Sequence, residues 1–94
     1  MYAITFDLCI ADLENHYPGN NYNNAYGEIN KFLTPRGFTR QQGSVYFGND
    51  DTSLVKTVIA VEDMHRELPW LSNCVSDIRM LIITENNDLM PLLR

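Results

Sequence analysis

At 94 residues, with 45% of them apolar and a formal net charge of −5, the chain has the size of one domain around a single core and the composition of a folded protein, not a disordered one. The charge argues against a protein that coats nucleic acid through a general basic field, because phosphate binding draws most of its free energy from Lys and Arg. It leaves room for a local site, since Arg36 and Arg40 flank one turn and Arg79 stands beside Asp77.

The opening segment Met1 to Asp7 alternates Tyr2, Ile4 and Phe6 with Ala3, Thr5 and Asp7. Period two with one large apolar face and one smaller, more polar face predicts a strand, packed on helices by one side only. Asp12 to Asn24 is rich in Asn, Gly and acids around His16-Tyr17-Pro18-Gly19, which reads as a loop leading into a helix. From Tyr22 to Leu33 the apolar residues Tyr22, Ala25, Tyr26, Ile29, Phe32 and Leu33 recur at three and four, the spacing of a helix with one buried stripe. Pro35 and Gly37 end it. Phe38 to Gln41 reads as a short strand, and Gly43 supplies the reversal into Ser44-Val45-Tyr46-Phe47, a hairpin. Asp50 and Asp51 suit a helix N-terminus, and Leu54, Val55, Val58, Val61 and Met64 mark the apolar side of a second helix running to about Arg66. After Pro69 and the anchors Trp70, Leu71 and Val75, the run Ile78 to Ile83 is a strand rich in branched residues, followed by a tail with Leu89, Leu92 and Leu93 at helical spacing.

Strand, helix, strand, strand, helix, strand is the α+β, ferredoxin-like βαββαβ order, one domain over residues 1–94 with a four-stranded antiparallel sheet and its helices on one face. Right-handed crossovers place the first and third strands at the centre, so the first strand ends where the third and fourth begin. Asp7, Ser44 and Asp77 then converge at one sheet margin, with Gln42, Tyr46 and Arg79 one or two residues away. On this alternation Ser44 and Tyr46 share the helix-free face with Asp7, while Val45 and Phe47 face the core. A carboxylate, a hydroxyl and a guanidinium in one place can act as general base, phosphate donor and phosphate clamp, the parts of a phosphodiesterase site. Each also has a structural use: Asp7 can bond loop amides, Ser44 can shape the turn, and Asp77 can pair with Arg79.

The two cysteines, Cys9 and Cys74, form no CxxC pair and have no histidine at ligand spacing, which fits reduced, inert thiols in a cytoplasmic protein. The N-terminus has neither a basic leader nor a long apolar run, so neither secretion nor membrane insertion is expected.

At these residues the chain resembles the virulence-associated protein D (VapD) family, small bacterial proteins of toxin–antitoxin type. The matching pieces are Met-Tyr-Ala-Ile-x-Phe-Asp-Leu at residues 1–8, Gly37-Phe38, Gln42-Gly43-Ser44-Val45-Tyr46, Leu68 with Trp70, and Val75-x-Asp77-Ile78-Arg79. The resemblance implies a homodimeric endoribonuclease acting on single-stranded RNA. The family is also similar to the small dimeric nuclease of CRISPR adaptation complexes, in which an aspartate ends the first strand. Carried onto this sequence, that points to Asp7, Ser44 and Asp77 as catalytic residues, and the polar and basic residues Gln42, Tyr46, Arg79 and Arg40 of the topology reading are then the expected substrate-binding ones. Cofactors stay open between none and a divalent cation such as magnesium at Asp7. The expected partners are RNA, a second copy and an antitoxin protein. The rival reading is a non-catalytic dimeric interaction module whose acidic surface suits a basic partner.

Overall fold

In β1 (Tyr2–Leu8) Ile4 and Phe6 are buried while Asp7 is exposed, so the alternation of the sequence becomes the two sides of a central strand. The computed structural model describes residues 1–94. After β1 come α1 (Ile10–His16), α2 (Asn24–Leu33), β2 (Phe38–Gln42), β3 (Val45–Gly48), α3 (Leu54–Glu67), the single turn α4 (Leu71–Cys74) and β4 (Val75–Ile82). The sheet order is β2, β3, β1, β4, and every pairing is antiparallel. This is the ferredoxin-like arrangement expected from the sequence. No helix is long and apolar enough to cross a membrane.

Three local expectations are corrected. Residues from Ile10 to His16 form α1 where a loop was expected, because Leu13 inserts into the core and its carbonyl accepts the Tyr17 amide at 3.0 Å. Tyr46 lies on the helical side: it pairs with Ile4, is fully buried, stacks on Phe6 with ring centroids 6.1 Å apart, and donates its hydroxyl to Asn30 Oδ1 at 3.3 Å. Val45 and Phe47 consequently take the helix-free face, opposite Thr5 and Ala3. The third correction concerns α3. It is buried through Thr57, Ala60 and Met64, whereas Leu54, Val55 and Val58 from the expected core stripe are exposed. Thr57 can be buried because its hydroxyl donates to the Ser53 carbonyl at 2.7 Å, and Ser53 caps the helix by accepting the Lys56 amide at 3.1 Å.

The stripe expected for α2 packs as its spacing requires, with Ala25, Ile29, Phe32 and Leu33 buried and Tyr22 and Tyr26 against them. Gly37, at φ +93°, turns the chain from α2 into β2 in a backbone region that suits glycine. Beyond β4, the Ile83 amide donates to the Met1 carbonyl at 2.7 Å, and Asn86 to Leu89 bound a cleft of about 600 Å³ with Gln41, Gln42, Val45 and Phe47. The tail thus runs across the helix-free face toward the hairpin of β2 and β3, ending in an exposed 3₁₀ turn at Met90–Leu93.

Tyr17 ties the loop after α1 to the core. Its ring packs edge-on against Trp70 at 5.1 Å, and its hydroxyl donates to Glu28 Oε2 at 2.5 Å. Burial, helped by the neighbouring Glu28 carboxylate, pushes its pKa up from 10.0 to about 12. The protonated phenol is the form the fold favours. Its stabilisation is therefore complete below the ordinary value of 10.0 and lost as pH rises through about 12. Denaturant melts across that window are expected to show a steeper loss of stability for wild type than for Tyr17→Phe; parallel losses would contradict this.

Candidate active site

Asp7 is placed by the register between β1 and β4. Asp7 stands directly opposite Asp77, and Thr5 directly opposite Arg79, so these four side chains share the helix-free face. Two carboxylates facing each other across a strand pair repel, and the chain relieves this on one side: Arg79 Nε donates to both oxygens of Asp77, at 3.0 and 3.2 Å. The pair is exposed, so it adds little to stability. Its effect is on charge. Asp77 raises the pKa of the Arg79 guanidinium by accepting its hydrogen bond, and Asp7 is left as the carboxylate at this margin without an ionic partner.

The backbone around Asp7 is held from both sides. Ser76 Oγ donates to the Asp7 carbonyl at 3.2 Å, and the β1–β4 pairing shifts register between Asp7 and Leu8, which ends regular pairing where the carboxylate projects. On the other flank the Phe6 amide donates to the Ser44 carbonyl at 3.1 Å, which fixes the turn between β2 and β3 against the end of β1. Asp7, Asp77 and Arg79 are thus brought together on the helix-free face, whereas Ser44 reaches the margin through its carbonyl, opposite Phe6 and so on the side of β3 that Tyr46 takes.

Three other candidate residues are not. Tyr46 is in the core, bonded to Asn30, and has no surface with which to meet a ligand. Its phenol pKa is raised by burial, with Arg40 opposing. Arg40 pairs with Tyr46 on the helical side and donates from Nε to the Gly43 carbonyl at 3.0 Å, a turn-closing role. Gln42 pairs with Val45 and lines the cleft under the tail, with β3 between its strand and that of Asp7. Conversely, Thr5 and Ser76 belong to the site but carry no motif. Thr5 was legible as the residue two before Asp7 on the same strand face; Ser76 was not, because its role rests on the bulge.

Asp7 lines none of the principal clefts of the single chain, so a substrate would meet it on an open margin. No three His, Cys, Asp or Glu side chains converge as a cation site would need, and Asp77 is already engaged by Arg79. At this margin one chain therefore offers a divalent cation a single free carboxylate.

No family model matches the chain. Curated relatives do, along nearly all of it. It is 48% identical over 91 residues to "Endoribonuclease VapD 2" of Riemerella anatipestifer, covering 97% of both chains. The chain belongs to the VapD family. It is also 44% identical to "Endoribonuclease VapD homolog" of Helicobacter pylori, across 100% of this chain and 97% of the relative. The "Endoribonuclease VapD" of Dichelobacter nodosus is 40% identical, across 100% of this chain and 98% of its own length. Coverage of 97% or more in both directions means that the match between this VapD chain and these relatives spans the domain.

Proposed function

We propose that this VapD protein is an endoribonuclease that cleaves single-stranded RNA, the toxin of a toxin–antitoxin pair in the cytoplasm. The observation that carries the reading is the division of labour at the sheet margin: an unpaired carboxylate, Asp7, beside a guanidinium, Arg79, already oriented by Asp77. Diagonal neighbours on adjacent strands lie about 7–8 Å apart, a distance one nucleotide can bridge. Asp7 accepts the proton of a ribose 2′-hydroxyl. The freed 2′-oxygen attacks the adjacent phosphorus as the bond to the 5′-oxygen breaks, and the departing 5′-oxygen takes a proton from water, leaving a 2′,3′-cyclic phosphate on one product and a 5′-hydroxyl on the other. Arg79 steadies the phosphate, whose charge grows as the bond forms. In-line attack needs a backbone free to rotate, which single strands have and duplexes lack.

The open margin at Asp7 is closed by a second copy. Two-fold pairing through the helix-free face, where Leu81 and the tail residues Leu89, Leu92 and Leu93 present apolar surface, brings two Asp7 carboxylates toward one groove. An antitoxin protein of basic character would suit the acidic exterior, and the net charge of −5 restricts RNA to this local site. Family membership favours this reading over a non-catalytic interaction module. The reaction as drawn uses side chains of the protein, so labelled single-stranded RNA incubated with purified protein in excess chelator is expected to be cleaved while DNA of the same sequence is not. Cleavage abolished by chelator would instead place a cation at Asp7; cleavage of DNA would overturn the 2′-hydroxyl route.

A further inference from the structure

The largest of the principal clefts adjoins the Asp7 margin and takes no part in the chemistry drawn there. It measures about 600 Å³ and lies between the β2–β3 hairpin and the tail, lined on the sheet side by Val45 and Phe47. Register fixes where it sits. Val45 stands opposite Thr5, and Thr5 opposite Arg79, so the three form one row across the helix-free face, about 4.8 Å from strand to strand. Asp7, two residues beyond Thr5, is a diagonal neighbour of Val45 at about 7–8 Å. An RNA strand whose scissile phosphate meets Asp7 and Arg79 therefore has an adjacent base within reach of the cleft.

The lining selects the kind of group it takes. Gln41, Gln42, Asn86 and Asn87 are amides, Asp88 is the one charge, and there is no Lys or Arg among them. A phosphate is thus repelled, and a purely apolar group would leave the amides without partners. Gln41 and Asn87 are held from within the chain, donating to the Thr39 carbonyl at 3.2 Å and to Glu85 Oε1 at 3.1 Å, while Gln42 and Asn86 are exposed. An amide sets a donor beside an acceptor, the pattern of a base edge, and the half-buried Phe47 ring offers a face for stacking. Asp88 Oδ1 accepts the Met90 amide at 2.9 Å, which holds the carboxylate in place. A carboxylate accepts from an exocyclic amine and repels a ring carbonyl.

We infer that this cleft binds one unpaired base beside the scissile bond, stacked on Phe47 and read by Gln42, Asn86 and Asp88. It favours the bases that carry an exocyclic amine, adenine, cytosine and guanine, over uracil. The inference rests on the endoribonuclease reading of Asp7, and it makes the tail the part of the chain that renders cleavage selective.

Fluorescence anisotropy tests this with short single-stranded RNAs of uracil throughout except for one varied base, 2′-O-methylated so that they bind without being cut. The same strands, unmodified, are incubated for cleavage in parallel. Wild type is expected to bind strands carrying an amine-bearing base about tenfold more tightly than the all-uracil strand, and to cleave beside that base. Phe47→Ala should lose about tenfold in affinity and Phe47→Tyr should retain it. Asp88→Asn should abolish the discrimination against uracil, each variant keeping the circular dichroism of the folded protein. Cleavage at equal rates whatever the base, or selectivity unchanged in Asp88→Asn and Phe47→Ala, overturns the base site and leaves the nuclease standing. Selective binding that these variants lose, with no unmodified strand cleaved, upholds the base site and overturns the nuclease.

Discussion

Asp7→Asn is expected to lower the rate of RNA cleavage roughly tenfold or more, about 1.4 kcal/mol or above in barrier, with the fold intact. The substitution keeps the side-chain volume and removes the base. It should also leave stability unchanged or slightly improved, because the carboxylate it deletes faces Asp77 across the strand pair and has no ionic partner of its own. Stability and activity therefore move apart, which a purely structural aspartate would not allow. Steady cleavage by a folded Asp7→Asn protein would remove Asp7 from the mechanism, and a large fall in melting temperature would return it to a structural role.

Leu81→Lys is expected to have the second largest effect, through assembly. Leu81 stands opposite Ala3 on the helix-free face and is 43% exposed, on the same strand side as Asp77 and Arg79. A lysine there would place an ammonium in the proposed contact between two Asp7 margins, and burying an unpaired charge costs several kcal/mol. The variant should sediment as a smaller species than wild type and cleave RNA poorly, although its own Asp7 and Arg79 are untouched. Full activity in a Leu81→Lys protein of reduced mass would show that one chain suffices for catalysis.

The fold was largely legible because its signals are local and agree with one another. Period two in Tyr2 to Leu8, the three-and-four spacing from Ala25 to Leu33, and the turn glycines at 37 and 43 each specify an element, and the handedness of crossovers then leaves one topology. The meeting of Asp7, Asp77 and Arg79, and the arrival of the Ser44 turn at the same margin, follow from that topology alone. Side-chain direction in β3 does not. Val45, Tyr46 and Phe47 are all apolar, so polarity carries no information about which face each takes; the two-residue turn and the irregular register near Gln42 decide it, and they send Tyr46 to the core. The α3 stripe misleads for a related reason. Its apolar residues cover two sides of the helix, and the side that is buried is the one with small residues, Thr57 and Ala60, which let the helix sit close to the sheet. The larger apolar side faces outward, away from the core.

The most direct measurement of the chemistry at Asp7 compares a single-stranded RNA with the same strand carrying one 2′-deoxynucleotide at the cleaved position. The intact RNA should yield a 2′,3′-cyclic phosphate and a 5′-hydroxyl end, and the substituted strand should remain whole at that position. Cleavage of the 2′-deoxy strand at the same bond would contradict a carboxylate base acting on the 2′-hydroxyl.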